Sequence, residues 1–157
     1  MDENLASFRD GVIKRSIEEF GGRDPEAGFG VVAGELLEGA EELTDFVACP
    51  YRGVGTRRRS LGIDGYAFDE VDGSLRLVIV EFGGDKLPVT LTQTTAKAIF
   101  GRAVSFVDEA LAGNDDHLPA DEDPATDLSA LLHLHQTNIT RLRIYLATDA
   151  IMSDHIR

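Results

Sequence analysis

Residues Gly62 to Phe82 read GIDGYAFDEVDGSLRLVIVEF. The stretch has the form of a β-hairpin, with extended runs on either side of Asp72-Gly73, the dipeptide that suits a two-residue turn whose central residues both need positive φ. With Val71 paired to Ser74, that turn sets Asp64 directly opposite Glu81, with Cβ atoms about 4.5–5.5 Å apart on one face. Like charges facing each other across a ladder repel, so the spacing points to a divalent cation between the carboxylates or to a proton on one of them. The plain alternative is two acids that end their strands at a solvated rim. In the second strand Leu75, Leu77 and Ile79 face one way and Val78, Val80 and Phe82 the other. Both faces are apolar, which predicts a central strand with helices on both sides.

Upstream, Leu5, Phe8, Val12, Ile13, Ile17 and Phe20 recur at helical spacing until Gly21-Gly22 ends the pattern. Asp24-Pro25 restarts a helix with a cap and a first-turn proline, and the apolar stripe then runs through Val31, Val32, Leu36, Leu37, Ala40, Leu43 and Phe46. Acids Glu26, Glu35, Glu38, Glu41 and Glu42 decorate it, and most are expected to face solvent; Glu35 lies close enough to the stripe to point inward, but an ordinary acid on a very acidic helix is the preferred reading. Tyr51 to Ser60 is a glycine- and arginine-rich connection with room for a short edge strand.

Downstream of the hairpin, Thr92 or Thr94 caps a long helix ending near Leu111, followed by the acidic, proline-containing loop 113–127 and a short helix over 128–135. Arg141 to Thr148 alternates like a strand and, after a crossover helix, is expected to run parallel to its predecessor. Ala150 to Arg157 opens a helical pattern behind Thr148-Asp149 and stops, so residues 1–157 are read as one N-terminal domain of a longer protein.

The chain of 157 residues carries 28 acids against 15 basic side chains, a net charge of −13. That balance opposes non-specific nucleic-acid binding by the whole surface. The basic residues are uneven, however, and Arg52, Arg57, Arg58 and Arg59 precede the Asp64 strand as candidate phosphate contacts for DNA or RNA. A single cysteine, Cys49, and an N-terminus without an apolar signal segment suggest a reducing cytoplasm, and no apolar run is long enough to span a membrane. The histidines lack ligand spacing and no nucleophile elbow surrounds any serine.

Two resemblances follow. Asp64, then Glu81 at the end of a hydrophobic strand, resembles the PD-(D/E)xK superfamily of restriction-endonuclease-like folds. From about Glu35 through Gly62-Ile63-Asp64, the Leu77 to Phe82 strand and IYLATDA, the chain is similar to the N-terminal region of the abortive-infection phage-resistance (AIPR) family. The resemblance implies a restriction-endonuclease-like α/β fold, a mixed central sheet with helices on both faces, performing or derived from metal-dependent phosphodiester hydrolysis. It makes Asp64 and Glu81 ligands of Mg²⁺ or Mn²⁺, with Phe82 a carbonyl donor and Glu35 the helical acid. The superfamily lysine is missing: Gly83 stands two residues after Glu81, leaving Lys86 or Lys97 to supply the charge. The rival expectation is a non-catalytic module of the same fold that docks nucleic acid or a partner, such as the rest of its own chain or, through loop 113–127, another protein. A homo-oligomer is compatible with either.

Overall fold

A computed structural model of the chain describes residues 3–85 and 87–152. Two helices come first, α1 (Glu3–Glu18) and α2 (Pro25–Gly39). Asp24 caps α2 by accepting the Ala27 N–H at 3.0 Å. The helix ends at Gly39 rather than continuing to Phe46, and the chain turns through Glu41 and Asp45, both at positive φ. Phe46 instead folds back: its ring lies where a Cβ on Gly34 of α2 would stand, 2.2 Å away, and likewise over Gly65, at 2.1 Å.

Strands β1 (Val47–Val54), β2 (Ser60–Asp69) and β3 (Ser74–Glu81) form an antiparallel meander, and β5 (Arg141–Thr148) adds to β3 in parallel, giving the order β1-β2-β3-β5. The expected edge strand is therefore longer and earlier than the Arg/Gly connection, and it contains Pro50. Its register shifts between Ala48 and Tyr51, which fits an edge position, where a missing N–H costs no interior ladder bond. The central, doubly apolar β3 and the parallel β5 are as the sequence predicts.

Between β3 and β5 lie β4 (Thr90–Leu91), α3 (Gln93–Leu111) and α4 (Pro124–Leu134). Thr92 caps α3 through the Thr95 N–H at 3.1 Å. Helix α4 starts earlier than its apolar pattern, because Asp123 caps it through the Ala125 N–H and Pro124 fits the first turn. After β5, Ile151–Met152 form β6, parallel to β4, where a helix was expected; the remaining residues of that expected helix lie outside the described residues.

The sheet has a core on each face. Leu75, Leu77 and Ile79 pack with Ile99, Ala103 and Phe106 of α3 and Leu128 and Leu132 of α4. Val78 and Val80 pack with Val12 of α1 and Phe29, Val32 and Ala33 of α2. No helix among the described residues is long and apolar enough to cross a membrane.

Helices α1 and α2 meet where Gly28 lies against Ser16: a Cβ on Gly28 would stand 2.0 Å from the Ser16 carbonyl oxygen. Backbone cannot yield as a side chain does, so Gly28→Ala is expected to push the helices apart and cost about 1–3 kcal/mol, read as a lower urea midpoint at unchanged slope.

Candidate functional site

The hairpin turn decides the site. Its loop is longer than two residues: Asp69 pairs with Ser74, the Gly73 N–H donates to the Asp69 carbonyl at 2.8 Å, and Gly73, but not Asp72, has positive φ. The Asp69 and Asp72 carboxylates take the N–H groups of Val71 (2.9 Å) and Ser74 (2.8 Å), which stabilises the wider loop. The register is shifted accordingly, and the β2–β3 ladder runs only to Gly65 opposite Val78. Asp64 and Glu81 are not a cross-strand pair.

Beyond Gly65 the strands part, and the Asp64 side chain enters the fork. Asp64 is 2% exposed, its Oδ2 accepts the Val80 N–H at 2.8 Å, and its Cβ lies near Gly30 on the α2 face of the sheet. The counter-charge comes from β1. Arg52 Nη2 reaches Asp64 Oδ2 at 2.9 Å, Glu26 Oε1 at 3.0 Å and the Val80 carbonyl at 3.2 Å, while Nη1 reaches Asp64 Oδ1 at 3.3 Å, the Ile63 carbonyl at 3.2 Å and the Tyr51 carbonyl at 2.9 Å. Burial raises the Asp64 carboxyl above its ordinary value, against the pull of Arg52 and of the Val80 hydrogen bond. Glu26, in the first turn of α2, is raised by burial too, and the charges of Asp64, Glu81 and Asp24 add to the rise while Arg52 opposes it. Glu26, Asp64 and Glu81 thus share one electrostatic neighbourhood, drawn from a helix and two strands.

The other expected residues scatter. Glu35 does not face inward: it pairs with Arg15 of α1 at 2.6 Å, both side chains about half exposed, because this turn of α2 is turned to solvent. Glu26 is the acid of α2 that reaches the fork. Lys97 is exposed on α3, across the sheet from Asp64, and makes no ion pair among the described residues. Lys86 lies outside the described residues. The ring of Phe82 stacks on Phe29 with centroids 4.9 Å apart. Gly83 and Gly84 donate their N–H groups to the two carboxylate oxygens of Asp149, which also pairs with the buried Arg9 at 3.1 Å. Of the four arginines, Arg59 is held by Asp108 and Glu109, and Arg52 by the fork. Arg57 and Arg58 are exposed, at positive φ, and unpaired among the described residues.

Carboxylate and carbonyl oxygens are the donor chemistry of Mg²⁺ or Mn²⁺. As arranged, the fork does not fit such an ion: the Arg52 guanidinium lies among the oxygens, and no three acidic, histidine or cysteine side chains among the described residues are grouped to hold a metal.

Residues 29–156 match the family model of the abortive infection phage resistance protein N-terminal domain. The chain belongs to that family. No curated protein and no solved structure matches it significantly. The span matched to the phage-resistance domain contains Arg52, Asp64, Glu81 and Asp149, and leaves α1 and Glu26 outside.

In this phage-resistance domain the Arg57-Arg58 tip is anchored from beneath. Glu109 of α3, fully buried, accepts the Thr56 N–H and hydroxyl, Arg59 Nη2 at 2.9 Å and Asn114 Nδ2 at 2.9 Å. Hydrogen bonds from Thr56, Arg59 and Asn114 outweigh burial and hold the Glu109 carboxyl down at about 2. A carboxyl lower in the folded than in the unfolded chain gives stability above its unfolded value that is lost as pH falls toward its folded one. The stability advantage of the wild type over Glu109→Gln is therefore expected to be full near neutrality and to shrink between about pH 4.5 and pH 2, measured by urea unfolding across that range.

Proposed function

We propose that this domain is a nuclease-fold module of a phage-defence protein that binds nucleic acid by its phosphates and does not cut it. The order of helix, three-strand meander, helix and parallel strand supports the restriction-endonuclease-like plan. The observation that carries the reading is Arg52: a guanidinium engages both Asp64 oxygens, Glu26 and the Val80 carbonyl, so the acids have a cation from the chain itself. Gly83 offers no ammonium beside Glu81, and its N–H is committed to Asp149. Nucleic acid is met by the Arg57-Arg58 tip, whose two guanidinium groups are exposed and unpaired among the described residues. On a chain of net charge −13 this contact is local and weak.

A second reading is Mg²⁺- or Mn²⁺-dependent phosphodiester hydrolysis, favoured by the electrostatic influence of Asp64 and Glu81 on Glu26. Arg52 would have to leave its place first.

Fluorescence anisotropy with single-stranded DNA, duplex DNA and RNA, with and without Mn²⁺, separates the readings. Salt-sensitive binding without cleavage is expected, and the double substitution Arg57→Ala, Arg58→Ala should weaken it and reduce the salt slope by about 2, near 0.9 for each phosphate that is no longer neutralised. Mn²⁺-dependent cleavage that disappears in Asp64→Asn would establish hydrolysis instead. No binding to any of the three overturns the docking proposal.

A further inference from the structure

The two edges of the sheet are unlike. On β1, Pro50 and a register shift between Ala48 and Tyr51 interrupt the strand. On β5, eight consecutive residues hold an unbroken register with β3 from Arg141 to Thr148, with no proline and no bulge, and nothing among the described residues pairs with the far side. Long regular edges are templates for another strand unless covered or broken.

Beside that edge runs a groove of about 940 Å³, walled by α1 and α2 and floored by β5. Its walls carry Leu5, Phe8 and Leu36, all exposed. An occupant that satisfies both features is an extended chain: its backbone completes the β5 edge while alternate apolar side chains enter the groove.

The charge at one end of the groove sets a further condition. Arg143 of β5 stands beside Arg76 of β3 in the ladder. Arg143 is exposed, neither makes an ion pair among the described residues, and the Arg76 Nε is buried without an acceptor. Carboxylates nearby are otherwise placed: Glu42 accepts the Tyr145 hydroxyl at 3.2 Å, and Asp45, Asp69 and Glu70 line a small pocket with Arg76 without reaching ion-pair distance. Adjacent like charges repel, and a carboxylate set against them removes the repulsion.

We propose that the β5 edge and its groove are a strand-acceptor site for an extended segment of a partner protein, alternating apolar residues and carrying a carboxylate where it passes Arg143. The partner adds a fifth strand to the sheet. This surface is separate from the Arg52 fork and holds whether or not the domain binds nucleic acid.

The test titrates the whole chain into a fluorescent ten-residue probe peptide that alternates isoleucine and threonine and ends in two glutamates. Saturable anisotropy change is expected, weakened about tenfold by Arg143→Glu and likewise by Phe8→Glu on the exposed groove wall, each variant keeping the wild-type circular dichroism. The same probe with its glutamates changed to lysine should bind weakly to wild type and better to Arg143→Glu. Absence of saturable binding overturns the proposal, as does binding indifferent to both substitutions. A dimer in sedimentation velocity that dissociates on Phe8→Glu would overturn it too, by giving the edge to a second copy of this chain.

Discussion

A carboxylate that is 2% exposed must be given its counter-charge by the fold, and at Asp64 the fold gives Arg52. The requirement reaches well beyond one ion pair. Arg52 comes from β1, the Val80 N–H from β3, Glu26 from the head of α2, and Asp64 itself from the point where β2 leaves its ladder. Four elements are thereby fixed against one another at a single point. Removing one member of such a partly buried pair strands the other, a loss on the order of 3–5 kcal/mol.

A second fixed point lies on the neighbouring segment. Asp149 sits just past β5 and takes the N–H groups of Gly83 and Gly84 just past β3, while Arg9 of α1 donates to its carbonyl at 2.7 Å and to its carboxylate. Helix α1, which lies outside the span matched to the family, therefore helps to hold the chain that leaves Glu81.

The parts of the fold legible in the sequence are those written by periodicity and capping. The doubly apolar Leu75–Val80 run made β3 central, Asp24-Pro25 and Thr92 marked their helices, and the crossover rule made β5 parallel. What misled is local side-chain capture of backbone. Asp69 and Asp72 bind the turn N–H groups, so the Asp-Gly signal marked a hairpin but not its register, and the pairing of Asp64 with Glu81 fell with it. The site suffered more than the fold because its contacts are tertiary. Helical spacing places both Glu26 and Glu35 on α2 without telling which turn lies over the fork, and nothing in the Arg52 neighbourhood of the sequence announces that its side chain crosses to Asp64. Asp149, legible only as a helix cap, is a tether between strands.

The Arg52 clasp has two unequal arms. Its grip on Asp64 is sheltered, whereas Glu26 has a side chain 46% exposed. Mobile ions reach the outer arm and hardly touch the inner one. A guanidinium also keeps its proton throughout the range in which proteins stay folded. Ionic strength is therefore the variable that weakens the tie between α2's first turn and the strands while leaving the sheet's own fork shut, and the packing of Phe29, Val32 and Ala33 on Val78 and Val80 then carries the seating of the helix alone.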